Sequence, residues 1–313
     1  MECNCFIESL DLLLDESKVY STIIENTYYV QEGNIADFIR NIDLKKIFKF
    51  IFDKFIEILK AIWDRFRAAY NKFTSKSVLL KRYRKKLESI DWDINYPESR
   101  SVYNNLDNST NINMYKMSLD KEYNSFMNDL NKISNCKDTG TLHATILQIK
   151  DNMTNLDTYL DSKRGEALGS YSGISKENFV EQVALYFKPD KSYAPGVIHP
   201  SEVKEITNEY FSGKSIEKTI TKEQASLESA AKSTQNKISG INLNKQVPDK
   251  IINQEIASVF SDIIRNYCNR IQGICNIYIQ LFSIKLDIFK LYKQEQVRIL
   301  SKIILQSMKE GKM

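Results

Sequence analysis

The stretch DLKKIFKFIFDKFIEILKAIWDRFRAAYNKFTSKSVLLKRYRKKL, residues 43–87, carries the reading from which the fold class follows. Its apolar residues recur at Leu44, Phe48, Ile51, Phe55, Ile58/Leu59, Ile62, Phe66, Ala69 and Phe73, in alternating steps of three and four. That is the period of one helix face, so the stretch reads as a long amphipathic helix. Phe50, Phe52, Ile56 and Trp63 widen the stripe beyond what contact with one neighbouring helix needs. Lys45, Lys46, Lys49, Lys54, Lys60, Arg65, Arg67 and Lys72 occupy the opposite face, and a cationic run follows at Lys76, Lys81, Arg82, Arg84, Lys85 and Lys86. So broad an apolar face has to be buried in the protein's own core, against a partner or in a lipid surface.

Charge changes sign on the N-terminal side of this stretch. Residues 1–43 hold nine acids against Lys18 and Arg40, a balance of −7, whereas residues 44–87 hold fourteen bases against Asp53, Glu57 and Asp64, a balance of +11. Such a juxtaposition implies pairing within the chain or an anionic partner for the basic block. Residues 6–30 read as a first helix with Phe6, Leu10, Leu13/Leu14, Tyr20, Ile24 and Thr27 on one face, and Gly33-Asn34 reads as its stop. Residues 1–89 are therefore expected to form an acidic helix followed by the long basic one, with the acids of the first set against the lysines of the second.

On the C-terminal side the period switches to two. Ile90, Trp92, Ile94 and Tyr96 alternate with Asp91, Asp93 and Asn95 before Pro97, which predicts a half-buried strand. With Val102-Tyr103 and Ile112–Met117 as further strands, residues 90–118 read as a small antiparallel hairpin or meander, the one β insertion in the chain. Residues 119–188 return to helix, including a pair at 119–135 and 140–163, a flexible connection at Gly165, Gly169 and Gly173, and a short helix from Ser175 to Phe187. Residues 189–200, with Pro189, Pro195 and Pro200, read as a linker loop. Residues 201–313 form a long-helix or coiled-coil region. Its last element runs from Pro248 to Met308, about 90 Å at ~1.5 Å per residue. Gly273 is the expected place for any bend in it.

Composition agrees with long helices and few turns, since 313 residues contain only 10 Gly and 5 Pro. Hydrophobic residues at 42% and aromatic residues at 11% are enough to build a core. Abundant Ile, Lys, Asn, Tyr and Phe fit an AT-rich genome. The fold class expected is mainly α: an extended helical bundle with a long C-terminal helix and a small antiparallel β insertion.

Catalytic and metal chemistry find little support. The two histidines, His143 and His199, stand apart from each other and from any cysteine at ligand spacing. Cys3, Cys5, Cys136, Cys268 and Cys275 are odd in number and without a framework, so they read as free thiols, with Cys268 and Cys275 packed on one helix face. Gly213-Lys214-Ser215 lacks the upstream glycine and preceding strand of a phosphate-binding loop. No secretory signal is visible, and the longest uncharged run, Ile271–Ile284, is short of the ~20 residues that span a bilayer. The expectation is a non-enzymatic protein with no cofactor, no metal and no small-molecule substrate. Its contact candidates for anionic lipid or DNA are Lys45, Lys46, Lys49, Trp63, Lys81, Arg82, Arg84, Lys85 and Lys86.

Several features together resemble a group of virion proteins of tailed bacteriophages that infect low-GC Gram-positive hosts. They are Phe6-Ile7-Glu8-Ser9-Leu10 opening a Leu-rich helix, Glu25-Asn26 leading to Gly33-Asn34-Ile35, the Phe/Ile/Lys-rich helix, and the Lys-x-Tyr-x-Lys-Lys tail at Lys81–Lys86. The resemblance covers the first third of the chain and the region near Gly173–Phe187, and it carries over no site residues. It implies a structural or internal virion protein, made in the host cytoplasm and associating with itself or with other virion proteins. The alternative from a different class is a membrane-active, pore-forming or toxin-like helical bundle.

Overall fold

Asp43 starts the decisive helix: its carboxylate accepts from the Lys46 amide at 2.8 Å and its carbonyl from the Ile47 amide, so two amides of the first turn are satisfied. A computed structural model of the protein describes residues 42–75, 78–103, 112–170, 172–189, 191–212, 216–243 and 254–313. The helix expected at 6–30 and its Gly33-Asn34 stop lie outside the described residues. The stretch read from the sequence as one element is two helices, α1 (Leu44–Ser75) and α2 (Val78–Glu88). There follow β1 (Ile94–Tyr96), β2 (Arg100–Val102), α3 (Ile112–Ser134), α4 (Thr139–Asp151), α5 (Leu156–Ala167) and α6 (Lys176–Phe187). The chain continues through β3 (Lys191–Tyr193), β4 (Gly196–Ile198), α7 (Pro200–Ser212), α8 (Ile216–Ser239) and the 56-residue α9 (Gln254–Lys309). The protein is thus a mainly α-helical bundle with a long C-terminal helix and two small antiparallel strand pairings.

The described residues gather into two compact units. The first takes those within Met1–Leu59, Asn111–Phe179 and Ala225–Gln280; the second takes those within Lys60–Thr110, Val180–Gln224 and Leu281–Met313. In the first unit, Phe55 of α1 stacks on Tyr115 of α3 at 5.4 Å, and Tyr115 meets Tyr278 of α9 at 4.8 Å. Phe126 of α3 sits 6.5 Å from Phe48 and 4.9 Å from Tyr267. Rings that interlock in this way bury large areas with few rotatable bonds. In the second unit, Leu80 and Leu87 of α2 pack with Ile94, Ile198, Val203 and Leu300, so α2, the strands, α7 and the end of α9 share one core.

The strands correct three expectations. Residues 94–96 and 100–102 are strands, but they do not pair with each other. β1 pairs antiparallel with β4 (Ile94↔Ile198) and β2 with β3 (Arg100↔Tyr193). The stretch 189–200, read as a linker loop, therefore supplies half of each pairing. Ile112–Met117, read as a strand, lies in α3. Between the pairings residues 97–99 stand against 194–195, one residue more on one side, which is the count of a β-bulge. Pro97 and Pro195 both fall in this interruption, where no ladder amide is needed. Strands of three residues are too short to show a period, so the partner of Ile94 was invisible in the local pattern.

Gly273 also has a different role from the bend expected of it. α9 is continuous through it, and a Cβ there would lie 2.4 Å from Leu160 Cδ2, so the glycine admits a side chain from α5 against the helix. Gly165 is tighter, because a Cβ would meet the backbone carbonyl oxygen of Ser172 at 2.1 Å. The backbone bond from the Ser170 amide to the Gly165 carbonyl (2.8 Å) fixes the same turn. Gly165→Ala is expected to lower unfolding stability by about 1–3 kcal/mol through overpacking against backbone. Gly273→Ala should cost less, because Leu160 can change rotamer; urea denaturation of both variants checks the order.

Candidate functional site

α2 carries five bases and one acid in eleven residues, and burial of its apolar side sorts them. Leu80 and Leu87 are buried, whereas Lys81, Arg82, Arg84, Lys85 and Lys86 are all exposed. Residues four apart are neighbours on a helix, so Lys81 and Lys85 form one row and Arg82 and Lys86 the row beside it. Lys81, Arg82 and Lys85 make no ion pair with another described residue. Arg84 is engaged: its Nε donates to Glu88 Oε1 at 2.8 Å and its guanidinium lies 4.9 Å from the centre of the Phe211 ring. The Lys86 ammonium stands 5.6 Å from the Tyr83 ring. Lys81, Arg82, Lys85 and Lys86, clustered and without an ion pair to another described residue, can neutralise phosphates.

The other candidates fall in different places. Lys45, Lys46 and Lys49 belong to the first unit and are exposed, with Lys49 paired to Asp53 at 2.8 Å. That hydrogen bond is the main reason the Asp53 carboxyl sits below its ordinary range, with Gln235 adding a second. Trp63 belongs to the second unit, where it is half-buried and stacked on Phe66 at 5.5 Å. The apolar residues of α1 are turned inward: Phe48, Ile51, Phe52 and Phe55 are each 2% exposed or less.

Residues of another kind escaped the sequence reading. In the first unit Arg270 of α9 donates to the Thr154 carbonyl (3.0 Å), lies 3.6 Å from Glu122 and stacks 4.5 Å over Tyr159. The Tyr159 hydroxyl donates to Glu122 at 2.8 Å, and burial, then the Glu122 charge, push that phenol up. In the second unit Lys285 of α9 donates to Glu223 of α8 at 2.6 Å, both side chains being at most 1% exposed. Lys293 donates to Gln296 Oε1 (3.0 Å) and the Glu209 carbonyl (3.5 Å) under the rings of Tyr210, Phe289 and Tyr292. Burial brings its ammonium down to about 8. The signal was present in the pattern, for Lys285 lies four beyond Leu281 and three before Ile288, and Lys293 four beyond Phe289, all on the apolar stripe.

Burial pushes the thiols of Cys268 and Cys275 up to about 12, away from thiolate reactivity. Among the described residues no group of three or more His, Cys, Asp and Glu is placed to hold a metal ion, and no helix is long and apolar enough to cross a membrane. Comparison with protein-family models, curated proteins and solved structures finds no match to this chain. Among the described residues α2 presents an exposed cationic face and α9 carries buried ion pairs.

Two outcomes follow from the buried pairs. Removing one member, as in Glu223→Leu, should cost about 3–5 kcal/mol, while Glu223→Leu with Lys285→Met should recover most of it, because an uncompensated buried charge is dearer than none. For Lys293 the folded value near 8 lies below the ordinary 10.5 of a free lysine. The unfolded chain then holds the extra proton above pH 8, so stability rises with pH through that window. Wild type should gain on the order of 2 kcal/mol between pH 8 and 10, and Lys293→Met should not. Above pH 10 the buried tyrosines, raised by burial, act in the opposite sense. Urea titrations at stepped pH read both.

Proposed function

We propose that the protein is a non-enzymatic structural or internal component of a tailed-phage virion, a helical scaffold that presents the basic face of α2 to packaged duplex DNA. The observation that carries this reading is the partition of α2, with Leu80 and Leu87 buried and Lys81, Arg82, Lys85 and Lys86 all exposed. Along the sequence, bases and apolar residues alternate, which argues against a nucleic-acid surface; in the fold Leu80 and Leu87 turn inward while the bases lie exposed, with Val78 exposed beside them. A face of this kind binds through counterion release and without sequence preference. The virion setting is what the sequence resemblance implies, and assembly with copies of itself or with other virion proteins belongs to the same proposal. Insertion into a bilayer would instead need the apolar face of α1, where Phe48, Phe52 and Phe55 are already inside the core.

The test is fluorescence anisotropy with a 30-bp duplex across a salt series, beside vesicle flotation and dye release. Wild type should bind duplexes of unrelated sequence alike, with log K falling against log salt at a slope of about −3 to −4 for four phosphate contacts. Replacing Lys81, Arg82, Lys85 and Lys86 by glutamine should weaken binding at least tenfold and flatten the slope, with helix content unchanged by circular dichroism. Dye release from anionic vesicles without DNA binding would instead establish the membrane-active reading.

A further inference from the structure

Three consecutive residues at the end of α7 touch four partner residues on α9 and α2, all within the second unit. The Glu209 carboxylate accepts from the Tyr292 hydroxyl (2.5 Å) and from Gln296 Nε2 (3.1 Å) of α9. The Tyr210 ring centre lies 5.7 Å from the Lys293 ammonium, and the Phe211 ring centre lies 4.9 Å from the Arg84 guanidinium of α2. The two rings meet edge to face at 5.0 Å and 86°. One turn of helix thus has a buried lysine on one side and Arg84, the ion-paired cation of the basic face, on the other.

Lys293 is poorly supplied for a buried charge. Beyond Gln296 Oε1 at 3.0 Å and the Glu209 carbonyl at 3.5 Å it faces aromatic rings. The titratable groups around it are Glu209 and Tyr210 from α7, Glu217 from α8 and Tyr292 from α9, with Tyr103 edge-on against Tyr292 at 5.7 Å. An ammonium draws a ring face toward it and a neutral amine does not. The charge on Lys293 therefore helps to decide where the Tyr210 ring sits, and through the edge contact where Phe211 sits.

We propose that the Glu209–Tyr210–Phe211 turn couples the protonation of Lys293 to Arg84, holding Arg84 against Phe211 when Lys293 is charged and releasing it to the basic face of α2 when Lys293 is neutral. This rests on the reading of α2 as a polyanion-contacting face and adds its regulation. With Lys293 charged, α2 offers Lys81, Arg82, Lys85 and Lys86, and Arg84 stays with Phe211 and Glu88. With Lys293 neutral, Arg84 joins them as a fifth phosphate contact. Linkage makes the effect reciprocal: a polyanion that takes Arg84 favours the neutral lysine. Burial sets the switching point, since it holds Lys293 at about 8, while all five cations of α2, Arg84 included, lie exposed.

The deciding measurement follows Arg84 by NMR of the guanidinium 15Nε and 13Cζ in the full chain without DNA, from pH 7 to 9. In wild type the Arg84 resonance should titrate with a midpoint near 8, the value held by Lys293. It should be flat in Lys293→Met, in Lys293→Arg and in Phe211→Ala; the arginine variant keeps the charge and covers the case in which the methionine variant fails to fold. A flat Arg84 in wild type, or a titration that survives in Lys293→Arg, overturns the proposal. With duplex DNA the wild-type salt slope should steepen by about 0.9 between pH 7 and 9 and stay constant in Lys293→Arg. Equal wild-type slopes at the two pH values overturn the release of Arg84. Absence of DNA binding at both values while Arg84 still titrates retires the polyanion reading alone, and the coupling stands.

Discussion

The structure depends on burying one helix on most of its sides. α9 runs unbroken for 56 residues, about 84 Å at ~1.5 Å per residue, and from Ile256 to Phe289 nearly every side chain is buried or half-buried. A helix that is apolar all round needs cover all round. It gets that cover from two sets of elements, one along its residues up to Gln280 and another from Leu281 onward. Each polar residue on that stripe then requires a partner from a covering element, because a buried charge without one is not tolerated. Arg270 finds Glu122 and Thr154, Lys285 finds Glu223, and Tyr292 and Gln296 find Glu209. Arg298 and Lys302 both meet Glu98 from the bulge between the strand pairings. These pairs fix which turn of each neighbour meets which turn of α9, a register that apolar packing alone leaves loose.

The same logic separates the two faces of the basic stretch. Among the described side chains, α1 buries Phe48, Ile51, Phe52, Phe55 and Leu59 and α2 buries Leu80 and Leu87, while their lysines and arginines lie mostly outside. The outer side of α2 carries five exposed bases together with Val78, which is also exposed. Its one stacked member, Arg84, is also the one that reaches back through Phe211 toward the buried polar seam of α9.

Much of the fold was readable in the chain. The three-four recurrence from Leu44 to Phe66 and from Ile256 to Leu300 is long enough to define a helix face without knowledge of what covers it, and the cations of α2 could be named as contact candidates from charge alone. The strands were half readable: the alternation at Ile90–Tyr96 is visible, but its partner at Gly196–Ile198 is three residues between prolines and has no period of its own. Arg270, Lys285 and Lys293 were passed over because an apolar stripe is read by its majority, and a single charge on it looks like an irregularity until its partner is known.

The sequence by itself determined the helical class, the long C-terminal element and the amphipathic partition of the basic stretch, because each of these is set by residues within a few turns of one another. Tertiary structure alone decided that residues 94–102 pair with 191–198, that Gly273 receives Leu160, that Arg84 lies against Phe211, and that Lys285 and Lys293 are buried. Each of those depends on which distant segment arrives, through contacts between residues tens to hundreds of positions apart. Local periodicity carries the address of a face, and the partner that comes to it is chosen by the burial and charge balance of the whole unit.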